Sequence, residues 1–248
     1  MGAPAVVLLH GQPGAAADWD LVLPHLDGLR VLAPTRPGYE GSPAGGFGVN
    51  AAAVLRLLDA AQVGRAVVVG HSWAGGVALR LALDAPARVG ALTLLGSVGS
   101  RRAVSPLDRL LAAPLLRGGT VRAADRLGTR LARGAELLSG SRLDAPAREA
   151  LRRRLVEMSG QEWDAYTVEQ RCLVRETPAL ARQLGEVAVP AVVVVGARDL
   201  VVSARAQRDL VSQLRHVELV PHSGGHLVQL ESPQLVARAV RRAVELAQ

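Results

Sequence analysis

The chain contains no lysine; all 29 of its basic residues are arginine. Its one cysteine, Cys172, excludes an internal disulfide and any cysteine-cluster metal site. Only 2% of residues are aromatic against 49% hydrophobic in total, so a core must be built mainly from Ala, Val and Leu. With few rings to stack on bases and no recognisable binding motif, a nucleic-acid partner is not expected. No apolar run approaches the roughly 18 residues of a membrane span. The first residues lack the charged region, apolar run and cleavage site of a secretory leader. These absences make a cytoplasmic protein with no membrane partner the expectation.

The 248 residues suit one large α/β domain, or such a domain with an insertion. The formal charge of +7 is unevenly placed. Between Val98 and Arg182 there are 16 Arg against 10 acidic residues, leaving 13 against 12 elsewhere. A solvated helical surface accounts for this excess. A field that attracts anionic substrates is the sharper alternative.

Strand-length apolar runs alternate with helix-period stretches over the first hundred residues. Ala5–Leu9, Leu29–Ala33, Ala66–Val69 and Ala91–Leu95 read as strands, and Asp18–Leu26 and Val49–Ala61 as helices. From Val98 to Arg182 no strand is expected. Leu, Ala and Arg recur there at helical spacing, broken by Pro106, Pro114, Gly118-Gly119, Gly134, Pro146 and Gly160 into roughly four short helices. The alternation resumes with strands at Ala191–Val195 and His216–Val220 and helices at Ala204–Leu214 and Pro233–Leu246. Short continuous apolar strands separated by helices imply a mostly parallel sheet of about six strands, covered on both faces. Residues 1–97 and 183–248 then form one core domain, with 98–182 inserted as a helical cap over the strand ends. Ligands of open α/β sheets bind outside those carboxyl ends.

Gly70-His71-Ser72-Trp73-Ala74-Gly75 falls between the Ala66–Val69 strand and a helical run from Gly76 to Leu83. A serine on a tight strand-to-helix turn between small residues has the form of a nucleophile elbow. Strand and helix pass so closely there that larger side chains two positions either side of Ser72 would collide. Ala74 stands where glycine is usual and is the next smallest choice.

A nucleophilic serine needs a base, and the base needs an orienting acid. Asp199 follows the strand Ala191–Val195, and His226 follows the strand His216–Val220. Both lie just past a strand's carboxyl end, as Ser72 does, so one sheet edge can gather all three. An oxyanion hole needs two aimed backbone N–H groups. Trp73, next after the serine, should supply one. Gln12, in the loop His10-Gly11-Gln12-Pro13-Gly14, should supply the other.

These motifs resemble the α/β-hydrolase fold family, in particular its cap-bearing serine hydrolases: esterases, C–C bond hydrolases and proline iminopeptidases. The resemblance extends to Pro34-Thr35-Arg36-Pro37-Gly38-Tyr39-Glu40-Gly41-Ser42, similar to the family's P-D-x-x-G-x-G-x-S loop, with Thr35 in place of aspartate. Asp84-Ala85-Pro86-Ala87-Arg88-Val89 is similar to its H-P-x-R-V step. The resemblance implies catalysis by Ser72, Asp199 and His226 beneath a helical cap. His10, His222 and Asp199 do not share metal-ligand spacing, so no metal is expected, and no cofactor is expected either. Its epoxide hydrolase and dehalogenase branches use an aspartate nucleophile, so Ser72 argues against both activities. Family members carry two strands ahead of the His-Gly loop, which the nine residues before His10 cannot supply. The Leu29–Ala33 strand would then lie at the sheet edge, where a local segment or a second copy in a homodimer would cover it.

The expected reaction is hydrolysis of a small or medium carboxylic ester, thioester or lactone. Rival readings are another chemistry on the same site (C–C hydrolysis, aminopeptidase, haloperoxidase-like, or lyase or cyclase) and a non-catalytic ligand-binding homologue. Of the two nearby histidines, His226 rather than His222 has the family's Gly-His spacing. His71, Tyr39, Trp163 and Tyr166 are candidate pocket residues. Glu162 and Glu169 are candidate cap acids, though no feature of the sequence singles them out.

Overall fold

The computed structural model describes residues 5–39, 41–113, 134–156 and 158–248. Its six strands form one parallel sheet. They are β1 (Ala5–Leu9), β2 (Val31–Leu32), β3 (Ala66–His71), β4 (Val89–Leu95), β5 (Ala191–Gly196) and β6 (Val217–His222). The spatial order is β2-β1-β3-β4-β5-β6. The four central strands are buried along their whole length, which is why they are dominated by Val, Ala and Leu.

Alternate residues of each strand face opposite sides. Val7, Leu9 and Val68 join a core with α1 (Phe47–Ala60) and α2 (Trp73–Asp84). Val6, Leu8, Val67 and Val69 join a second core with Trp19 and the last helix. At the sheet's edge β2 is only two residues long, and its Val31 and Leu32 pack one into each core. A short strand limits the unpaired edge that the sequence makes a concern. The helix expected over Asp18–Leu26 is instead two 3₁₀ turns, Ala16–Trp19 and Leu23–His25. Pro24 lies inside the second and interrupts α-helical bonding.

Between β4 and β5 the described residues contain helices and no strand. They are α3 (Pro106–Leu111), a helical stretch over residues 134–139, α4 (Ala145–Val156) and α5 (Gly160–Gln183). Helix α5 is far from short: its 24 residues run through Pro178. It starts in a capping box, with Ser159 and Glu162 each bonding the other's backbone N–H. The breaks expected at Pro114 and Gly118-Gly119, like Glu40, lie outside the described residues. After β5 come α6 (Ala204–Val211), α7 (Val228–Glu231) and α8 (Pro233–Leu246), of which α7 has no counterpart in the sequence reading. No described helix is long and apolar enough to cross a membrane.

Candidate active site

The turn from β3 into α2 leaves Ser72 at φ 54° and ψ −121°, a conformation that L-residues rarely adopt. Gly70 makes the turn possible. A Cβ at that position would lie 2.6 Å from the Ala74 carbonyl oxygen. Ser72 is fastened on both sides: its N–H donates to Leu95 O at 2.9 Å, and its carbonyl accepts from Val98 N at 3.1 Å. The loop after β1 approaches so closely that a Cβ on Gly11 would meet His71 Nδ1 at 2.8 Å and Ser72 Cβ at 3.1 Å.

The structure brings the three residues from three strand ends together. Ser72 Oγ and His226 Nε2 are 2.8 Å apart, and His226 Nδ1 and Asp199 Oδ2 are 2.8 Å apart. All three are buried. With the carboxylate on Nδ1, that nitrogen carries the proton, and Nε2 is left to accept from the serine hydroxyl. Asp199 is itself held. Its Oδ1 accepts from the Val201 and Val202 N–H groups, and its Oδ2 also accepts from Gln207 Nε2 at 2.9 Å. No feature of the sequence marks Gln207, since a glutamine on α6 is unremarkable until α6 is docked beside the β5 loop. His222 lies apart, 3.5 Å from Glu231. Glu231 in turn accepts from Gly225 N, Arg142 N and Arg198, bracing the loop that carries His226.

His71 sits next to His226, with ring centroids 5.0 Å apart. Burial first, and then the nearby His226, push its pKa down to about 3, so the ring is neutral. Its Nε2–H donates to the His226 carbonyl at 3.0 Å. Its Nδ1 is then the acceptor facing Gln229 Nε2 at 3.4 Å.

Trp73 follows Ser72 directly in the chain, and Gln12 lines the same cavity as Ser72. Trp73 N–H opens α2 and has no acceptor within that helix. Gln12 N–H has no hydrogen-bond partner among the described residues. A helix N-terminus also favours negative charge. The arrangement can therefore activate a hydroxyl and hold an oxyanion beside it.

A cavity of about 600 Å³ opens over Ser72. Its described lining includes Gln12, His71, His226 and Gln229, and on the inserted helices Leu151, Arg154 and Leu155. Tyr39, Trp163 and Tyr166 are not among its described lining residues, which corrects the expectation for all three. Tyr39 is buried, and its hydroxyl donates to Glu169 Oε2 at 2.9 Å. Trp163 and Tyr166, three apart on α5, pack edge to face on each other with centroids 5.9 Å apart.

Glu169 is no free cap acid either. It is fully buried and forms an ion pair with Arg36, which is equally buried. Burial raises its pKa, against the pull of Arg36 and Tyr39. The Arg36 guanidinium also donates to His10 O at 2.8 Å and Gly11 O at 2.7 Å, and lies 4.6 Å over the Trp73 ring. Sequence reasoning missed Arg36, although a charged residue inside the Pro34–Ser42 loop was the available signal.

The model of the alpha/beta hydrolase family matches residues 6–239, and the chain belongs to that family. It is similar to lipase LipV of Mycobacterium tuberculosis, 34% identical over 119 residues, which are 46% of this chain and 46% of that protein. It is also similar to 2-hydroxymuconate semialdehyde hydrolase of a Pseudomonas species, 40% identical over 103 residues, 38% of this chain and 36% of that one. The chain matches 29% to 46% of the length of seven curated relatives, these two among them. The solved structure of a thermophilic esterase from Thermogutta terrifontis superposes with a TM-score of 0.76, covering 99% of this chain and 91% of that one. At 20% identity this likeness shows the fold alone.

Proposed function

We propose that this chain is a serine hydrolase that cleaves a small or medium carboxylic ester, or the related thioester or lactone, through an acyl-enzyme. The observation that carries the reading is the hydrogen-bonded series Ser72–His226–Asp199, buried at the floor of a cavity. His226 Nε2 takes the proton from Ser72 Oγ as that oxygen bonds to the substrate carbonyl carbon. The Gln12 and Trp73 N–H groups hold the resulting oxyanion. As the tetrahedral species collapses, the alcohol leaves with the proton from Nε2. Water, deprotonated by the same nitrogen, then attacks the acyl-serine and releases the acid. Asp199 holds the imidazole orientation and stabilises its charged form.

The test is a panel of p-nitrophenyl esters run on wild type and Ser72→Ala, with fluorophosphonate labelling located by mass spectrometry. Turnover should fall on the order of 10⁶-fold in the variant, and the label should sit on Ser72. Labelling without turnover of any ester would favour C–C hydrolysis, a reading supported by the similarity to 2-hydroxymuconate semialdehyde hydrolase. Absence of labelling would favour a binding protein.

A further inference from the structure

The two N–H groups assigned to the oxyanion belong to separate elements, the loop after β1 and the start of α2. Both residues send their side chains to one turn of the inserted helix α5. Gln12 Nε2 donates to Gln170 Oε1 at 2.6 Å. Trp73 Nε1 donates to the Glu169 carbonyl at 3.1 Å. The Gln170 amide is fixed in turn, because its Nε2 donates to Asp108 Oδ1 on α3 at 2.7 Å. Gln170 is 2% exposed and Glu169 0%. The Glu169 side chain is clamped by Arg36, whose guanidinium also grips the Gly11 carbonyl beside Gln12.

We propose that the Glu169–Gln170 turn of α5 positions both oxyanion donors, making Gln170 a positioning residue for the reaction. The inference rests on the acyl-transfer reading above. An oxyanion hole contributes only when its donors already point to where charge develops, since donors that must reorganise give up most of their advantage. Two donors on different elements need a rigid brace between them. Helix α5 supplies it with one bond to each residue from consecutive positions. The helices inserted after β4 therefore do more than bound the cavity: their seating sets the geometry that stabilises the transition state.

The test uses Gln170→Leu, which keeps volume and cuts the bridge, and Gln12→Met, which cuts the same bridge from the loop side while keeping the Gln12 N–H. Each should lower kcat about 10- to 100-fold, the scale of a small misplacement of reacting groups. KM should stay within about twofold, and the pH profile should not move, because His226 and Asp199 are untouched. Affinity for a trifluoromethyl ketone, which forms a tetrahedral oxyanion on the serine, should fall in proportion to kcat/KM. The double variant should be no worse than either single one, since both break one link. Folded variants that keep kcat within about twofold, a loss confined to KM, or single effects that multiply would each overturn the proposal. If wild type itself shows no Ser72-dependent turnover, the acyl-transfer reading has failed instead.

Discussion

Substituting Glu169→Gln tests the physical account of how the inserted helix is held. The carboxylate accepts from both Arg36 Nη atoms and from the Tyr39 hydroxyl, and neither member of the ion pair is more than 1% exposed. Glutamine keeps the shape but loses the charge and one acceptor. Its NH₂ group would then face a guanidinium N–H or the tyrosine hydroxyl. Arg36 would remain buried without a counter-charge, a loss of about 3–5 kcal/mol when a buried pair is broken. Against a total stability on the order of 5–15 kcal/mol, that is a large fraction. For a chain of this size it lowers Tm by roughly 10 °C. The assay is urea unfolding followed by circular dichroism, supported by calorimetry. Arg36→Met/Glu169→Met should recover part of the loss, because no charge is left unpaired. Recovery stays incomplete because His10 O and Gly11 O lose the donors that Arg36 provides. A fall below about 1 kcal/mol for Glu169→Gln would refute the argument.

Four further outcomes are expected. Asp199→Asn should lower kcat roughly 10⁴-fold with little change in KM, because an amide facing His226 Nδ1 and Gln207 Nε2 favours the wrong imidazole tautomer; steady-state kinetics decides it. Ser72→Gly should abolish turnover yet raise stability by about 1 kcal/mol in chemical denaturation, because glycine relieves the φ 54° backbone. Gly11→Ala should destabilise by about 1–3 kcal/mol and cut activity, its methyl meeting His71 and Ser72; an unchanged urea midpoint would contradict the packing argument. The last concerns pH. With a folded pKa of about 3 against an ordinary 6.5, His71 binds its proton only in the unfolded chain across that window. Stability should therefore fall as pH drops from about 6.5 toward 3, by about 1.4 kcal/mol per unit for this group. His10, its pKa also lowered by burial, adds in the same direction, whereas Asp18, raised to about 6 by burial, opposes it between about 6 and 3.8. Urea unfolding across pH should show a shallower slope for His71→Gln than for wild type.

The four interior strands were legible because each is buried on both faces, and a doubly buried strand is predominantly apolar. Ser72, Asp199 and His226 were legible for a related reason. Each lies just past the carboxyl end of a strand of one parallel sheet (β3, β5 and the edge strand β6), so the parallel order carries them to one edge. The pocket residues were read less well. Aromatic character alone marks Tyr39, Trp163 and Tyr166 as pocket candidates, but ring chemistry does not say which side chains meet the cavity. On α5 the face toward the elbow presents Glu169 and Gln170, whereas Trp163 and Tyr166 pack on one another.

Local pattern alone determined the alternation of strands and helices, the small-residue turn at Ser72 and the order of serine, acid and histidine. These depend on contacts between near neighbours in the chain, such as Gly70 against Ala74, and such contacts write themselves into adjacent residues. Only the tertiary structure decided that Arg36 pairs with Glu169, 133 positions away, and that Gln12 is bonded to Gln170, 158 positions away. No spacing rule links residues so distant. Their pairing exists because the sheet, the elbow and the inserted helix meet at one point, where a buried charge or amide must find its partner or be destabilising.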